Sequence, residues 1–207
     1  MNKVKLKQDV VQLFTHLRDY VQIPIGISNR HIHLSKEDFE LLFPGQEVNI
    51  MKELTQPGFY AAHQTVTIVG SKGELHKVRL LTPLRKQTQV ELSATDARTI
   101  GVRAPIRLSG QLADATDIII KSDFATITRP AAIIAKRHIH MNPTDAKLLG
   151  LALGDKVSVV IDTPERRTIY DDVIIRPSEG AVFEMHIDTD EANAANCGKE
   201  SVAYFLK

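Results

Sequence analysis

Arg30-His31-Ile32-His33-Leu34-Ser35 returns 107 positions later as Arg137-His138-Ile139-His140-Met141-Asn142. Along a strand, side chains two residues apart share a face, so each His-Ile-His segment would present two imidazoles together. That is a chelating arrangement. The echo continues beyond the histidines, since Asp38, Leu41 and Leu42 correspond to Asp145, Leu148 and Leu149. After a two-residue insertion Gly45 and Val48 correspond to Gly154 and Val157. Self-similarity on this scale marks two related halves.

Two weaker copies share the same grammar: a possible ligand, an apolar residue, a helix-capping residue, and an acid three positions after the cap. The four are His33-Leu34-Ser35 with Asp38, Glu91-Leu92-Ser93 with Asp96, His140-Met141-Asn142 with Asp145, and His186-Ile187-Asp188 with Glu191. Ser, Asn or Asp at a cap accepts an orphan backbone N–H, and an acid in the first turn suits the helix dipole. Pro143 falls at a first helical position, where its missing N–H costs nothing. Each copy therefore reads as a strand running into a capped helix, with the candidate ligand at the strand end. Five of the eight histidines fall inside this grammar; His16, His63 and His76 do not. Imidazole with carboxylate suits Zn²⁺ or a neighbouring transition ion better than Mg²⁺ or Ca²⁺, which prefer oxygen shells. Six donors (His31, His33, Glu91, His138, His140 and His186) exceed the need of one tetrahedral ion with an open position, and so point to a pair of cations if the strand ends converge.

Ahead of Glu91, the segment from Leu84 alternates, placing Arg85, Gln87, Gln89, Glu91 and Ser93 on one face of an expected strand. Arg85 offers the paired donors that clamp a phosphate oxyanion. On a straight strand, however, Arg85 and Glu91 would stand roughly 20 Å apart, so both reach one ligand only if the strand bends or a turn intervenes. Residues alone leave a binuclear metallohydrolase of thioesterase or phosphoesterase type open, as well as a non-catalytic barrel stabilised by closed metal coordination.

The rest of the chain must position these groups. With 26 basic and 25 acidic residues and a net charge of +1, the chain lacks the basic excess of a nucleic-acid-coating protein. The single cysteine, Cys197, forms no internal disulfide and no cysteine-based metal site, in keeping with a reducing cytoplasm. No apolar run approaches a membrane span, and the charged N-terminus lacks a secretory core. Leu6, Val10, Leu13, Leu17 and Tyr20 recur at helical spacing, so Lys3–Tyr20 is expected to form an amphipathic helix that docks on its own fold, a second subunit or another protein. Pro24 and Gly26 read as a break after it. The body is rich in short strand patterns, such as Thr65–Val69, Val78–Leu81, Val157–Ile161 and Val173–Ile175, separated by turns at Pro44-Gly45, Ser71-Lys72-Gly73 and Ser178-Glu179-Gly180. Helical signals are brief and follow strands. The expected class is mainly β with short helices, in two small β-barrel domains rather than a doubly wound sheet.

Four segments resemble the phosphate propanoyltransferases (phosphotransacylases) of the propanediol-utilisation type found with bacterial microcompartments. They are Pro24-Ile-Gly-Ile-Ser-Asn-Arg-His-Ile-His-Leu-Ser35, Leu84-Arg-x-x-Thr-Gln-Val-Glu-Leu-Ser93 with Thr95-Asp-Ala-Arg98, Ala135-x-Arg-His-Ile-His-Met141, and Glu184-Met-His-Ile-Asp-Thr-Asp-Glu-Ala-Asn-Ala-Ala195. The resemblance covers Pro24 to Ala195. It implies one barrel from 21–30 and 137–207, a second from 31–136, and a site between them. It also implies two divalent ions, usually zinc, held by residues matching His31, His33 and Glu91 for one and His138, His140 and His186 for the other. The residue matching Arg85 would engage phosphate. The implied reaction moves a short acyl group, propanoyl or acetyl, reversibly between coenzyme A and phosphate. The stretch from Gln111 to Pro130 departs from the family pattern where a Gly-Pro turn is expected. Residues 1–20 are similar to segments that direct such enzymes to microcompartment shell or cargo proteins, a homodimer is the expected assembly, and neither nucleic acid nor membrane is an expected partner. Lys86, Arg103, Arg107 and Lys136 are available to coenzyme A phosphates without a basis for choosing among them. Cys197 lies outside every repeated unit, so direct attack by phosphate is expected over an acyl-cysteine route.

Overall fold

The computed structural model describes residues 18–206 together with Lys5, Val10 and Leu13. The helix expected over Lys3–Tyr20 falls almost entirely outside the described residues, and its described end, Arg18–Tyr20, is a single 3₁₀ turn. The described residues form two compact units, 28–136 and a discontinuous one of residues 18–27 with 137–206.

Strand β1 (Ile23–Ser28) begins the described sheet structure and contains Pro24 and Gly26, which are thus part of a barrel strand rather than a break. The continuous unit then carries β2 (His31–His33), β3 (Ile50–Glu53), β4 (Tyr60–Val69), β5 (Glu74–Thr82), β6 (Gln89–Leu92), β7 (Ile106–Arg107), β8 (Thr116–Lys121) and β9 (Thr126–Ala135). Six of these close into a barrel in the order β4-β5-β2-β6-β9-β8, with β3 on β4 and β7 on β9. The discontinuous unit adds β10 (His138–Met141), β11 (Lys156–Ile161), β12 (Thr168–Pro177), β13 (Glu184–Asp188) and β14 (Val202–Phe205). With β1 these form a second closed barrel, β1-β13-β10-β12-β11-β14. Closure removes the free edges that short strands of this kind would otherwise expose.

The duplication is visible in the pairing. Strand β2 lies parallel to β5 and antiparallel to β6, and β10 lies parallel to β12 and antiparallel to β13. Each His-Ile-His strand is preceded by a strand, β1 or β9, that completes the barrel otherwise built from the opposite repeat. The bulges repeat as well. Lys77 and Asp172 both adopt positive φ, two residues before the partners of His31 and His138, and the adjoining ladders slip there. Such bulges supply the extra twist that barrel closure requires.

Inward positions alternate as a half-buried strand demands. Ile32, Val66, Val78, Leu80, Val90, Ile118 and Ile120 fill one core, while Ile139, Met141, Val159, Ile161, Val173, Ile175, Met185 and Ile187 fill the other. The central isoleucine of each His-Ile-His faces a core, which turns both flanking imidazoles to the opposite face. Four short helices follow four strands: α1 (Lys36–Leu42), α2 (Ala94–Ile100), α3 (Pro143–Leu148) and α4 (Thr189–Ala194). Ser35, Ser93, Asn142 and Asp188 cap them as the spacing predicts, and Asp188 with Glu191 completes a reciprocal capping box. No helix among the described residues is long and apolar enough to cross a membrane.

Candidate metal centres and phosphate site

Strand pairing brings the first three donors together. His31 stands directly opposite Glu91 across the antiparallel β2–β6 pair, and His33 follows on the same face. Ligand atoms of His31, His33 and Glu91 all lie within 4.8 Å of one another, a group that could hold a metal ion. His31 Nδ1 lies 2.8 Å from the Asn29 carbonyl. A carbonyl only accepts, so this nitrogen is the donor and Nε2 faces Glu91, 3.5 Å from its Oε2. Burial disfavours the His31 cation, but the Glu91 carboxylate and the Asn29 carbonyl outweigh it and hold the pKa above its ordinary value. Burial likewise disfavours the Glu91 anion, yet His31, with help from His33 and Ser109, holds that carboxyl well below the usual range. His33 is pushed well down by burial, then by the charges of His31 and Arg85. A neutral His33 is the form that ligates. Its Nδ1 is buried with no hydrogen-bond partner, the condition of a donor atom suited to a cation.

The second group repeats this geometry in the other barrel. His138 stands opposite His186 across β10–β13, and the ligand atoms of His138, His140 and His186 again lie within 4.8 Å of one another. His138 Nε2 and His140 Nε2 are 3.0 Å apart. Burial, then the charges of His186 and Arg176, lowers His140 to about 4, so it too is neutral around pH 7. Register places His186 where the first barrel has Glu91. Among the described residues, these two triads are the groups of three or more His, Cys, Asp or Glu side chains that could hold a metal.

Two acids of the repeated grammar bind the arginines that precede the paired histidines. Arg30 donates to Asp96 at 2.8 Å and Arg137 donates to Glu191 at 2.9 Å. In each barrel, the arginine before the paired histidines thus grips the first turn of the helix that follows the third ligand. This ties the two ligand-bearing strands together.

Arg85 corrects the sequence expectation. Instead of lying on a continuous strand with Glu91, it sits in a turn between β5 and β6, and its N–H donates to the Leu34 carbonyl at 2.8 Å. The turn is fastened from below: Ser35 N–H donates to Thr88 Oγ1 at 3.0 Å, and Thr88 donates to Asp38, which Arg129 holds with two nitrogens. Arg85 Nη1 then donates to Ser109 Oγ at 3.0 Å, and Ser109 donates to Glu91 Oε1 at 2.9 Å. The separation expected of a straight strand is thereby removed. Ser109 also accepts from Gln89 at 2.9 Å, while Gln89 donates to Glu91 Oε1 at 2.5 Å. Sequence reasoning passed over Ser109 because it belongs to no repeated unit. Its one signal is the following Gly110, whose positive φ of 97° marks a turn and whose N–H donates to Gln89 Oε1 at 2.7 Å.

Cys197 is half-buried beside the apolar core of its barrel, and burial pushes its thiol pKa up, away from the thiolate a nucleophile needs. Arg107, one of the four cations available to coenzyme A, is paired with Asp114.

Residues 24–198 match the family model for phosphate propanoyltransferase. The phosphate propanoyltransferase of Escherichia fergusonii is 51% identical over 207 residues, covering 100% of this chain and 98% of the relative. That of Levilactobacillus brevis is 50% identical with 100% of both chains covered, and that of Citrobacter koseri is 53% identical over 94% of this chain and 93% of its own. With this likeness spanning both histidine clusters and the Arg85 turn, the chain belongs to the phosphate propanoyltransferase family of acyltransferases.

Proposed function

We propose that this chain transfers a short acyl group, propanoyl or acetyl, reversibly between coenzyme A and inorganic phosphate. The observation that carries the reading is the Arg85–Ser109–Glu91 chain, which ties an oxyanion-binding guanidinium to a three-donor cluster through one hydroxyl. Family membership supports acyl transfer over the hydrolase and structural-barrel alternatives.

Arg85 binds phosphate oxygens through its fork of N–H donors and orients one oxygen toward the thioester carbonyl carbon. As that C–O bond forms, the C–S bond breaks; the thiolate leaves and takes up the proton released by phosphate. No acyl-enzyme is formed, consistent with the environment of Cys197. Two divalent cations, zinc being the best match to the donors, would supply Lewis-acid polarisation and charge neutralisation, held by His31, His33 and Glu91 and by His138, His140 and His186. Both clusters are required for turnover in this reading. The two barrels act as its two domains, with the enzyme a homodimer. Residues 1–20 serve as a docking segment for microcompartment shell or cargo proteins, which places the enzyme in the cytoplasm inside such a compartment.

The test is thiol release from propanoyl-CoA. It requires added phosphate if the chain is a transacylase; equal release without phosphate makes it a thioesterase and overturns the reading.

A further inference from the structure

The two clusters are not chemically alike. The first contains a carboxylate, Glu91, among its three donors, whereas the second contains imidazoles alone. The difference is offset two residues away. Across from His33 in the first barrel lies Gln89, and across from His140 in the second lies Glu184. Gln89 and Glu184 therefore occupy equivalent positions, two residues before the third donor of each triad. In one barrel a neutral amide donates to a ligand carboxylate; in the other a carboxylate meets a ligand imidazole. Carboxylate and neutral group have exchanged places, so each cluster keeps one negative charge.

Glu184 is built into its place. Its side chain is 9% exposed, and its Oε2 lies 2.7 Å from His186 Nε2. A carboxylate accepts, so Nε2 carries the N–H in this contact, which leaves Nδ1 as the ring nitrogen that would ligate. Gly26 of β1 closes over the pair: a Cβ there would meet His186 Cδ2 at 2.9 Å and the Glu184 carboxyl carbon at 3.0 Å. The glycine is thus explained by close approach rather than by an unusual φ. Outer carboxylates on ligand histidines fix the ring and raise its basicity.

We propose that Glu184 is the positioning residue of the His138–His140–His186 cluster, holding His186 by its ring N–H and setting how tightly a divalent cation binds there. The inference rests on the reading that both clusters take up metal. In Glu184→Gln the shape is kept and the charge removed. Purified chains are loaded with zinc and analysed for metal per chain, followed by competition with a chromogenic chelator. The wild type holds two ions, and Glu184→Gln binds one of them about 10- to 100-fold more weakly while the other is unchanged. His186→Ala, measured in parallel, weakens that same ion, and adding Glu184→Gln to it weakens binding no further. Where Glu184→Gln does not fold, Glu184→Asp replaces it; the charge is retained one methylene short, and the same ion weakens by a smaller factor. Two ions held with wild-type affinity in either folded variant, or equal weakening of both, overturns the role of Glu184. A wild type that takes up fewer than two ions fails earlier, and refutes the metal reading itself.

Discussion

Removing one hydroxyl at Ser109 should cost more than its size suggests. Ser109 Oγ donates to the Glu91 carboxylate at 2.9 Å and accepts from Arg85 at 3.0 Å, so Ser109→Ala breaks two hydrogen bonds to ionised groups. Bonds of that kind contribute about 1.5–3 kcal/mol each. Glu91 keeps its contact from Gln89 at 2.5 Å, which puts its loss at the low end. A combined loss of about 3–4.5 kcal/mol corresponds to roughly 140- to 1,600-fold in kcat/KM at 1.4 kcal/mol per decade. The assay is phosphate-dependent thiol release from propanoyl-CoA at varied phosphate. KM for phosphate should rise as Arg85 loses its anchor, kcat should fall as Glu91 shifts, and metal per chain should stay at the wild-type value. Ser109→Thr, which restores the hydroxyl, should recover much of the loss. A Ser109→Ala enzyme within threefold of wild type in both parameters would refute the coupling of Arg85 to Glu91.

Gly26→Ala places a methyl group 2.9 Å from His186 Cδ2 and should lower the unfolding midpoint through overpacking of about 1–3 kcal/mol, with weaker retention of one metal ion; an unchanged midpoint and metal count would contradict the close packing. Cys197→Ser should leave phosphate-dependent turnover within twofold of wild type, and a large loss would revive an acyl-cysteine route. Burial, with the nearby Glu191 carboxylate, raises Tyr170 from its ordinary 10.0 to about 12. The fold therefore favours the neutral phenol, whose contribution to stability is full below pH 10.0 and is lost as pH rises toward 12. Unfolding measured across that window should show a steeper decline in wild type than in Tyr170→Phe, and parallel curves would contradict the assignment.

The two clusters of candidate donors were legible because duplication turns spacing into geometry. A single His-x-His says little, but two copies followed by matched caps at Ser35, Ser93, Asn142 and Asp188 fix four strand-to-helix junctions, and the donors fall at those junctions. Local rules suffice there, since cap chemistry and strand alternation act over a few residues. The Arg85 turn was not legible: the alternating polar pattern from Arg85 to Ser93 mimics a strand, and the chain turns because Leu34, Ser35 and Asp38, distant in sequence, engage Arg85 and Thr88. Ser109 was hidden for the same reason, its role existing only once the β6 segment and the turn at Gly110 are brought together. Glu184 lay in view inside Glu184-Met-His-Ile, but its meaning depends on register, which pairs it with His140 as Gln89 is paired with His33.

The most direct measurement combines elemental analysis with thiol release on one preparation, before and after chelation and after zinc is restored. Two transition ions per chain, activity that vanishes with their removal and returns with zinc, and no thiol release without phosphate is the predicted result. A fully active preparation free of transition metal would contradict it.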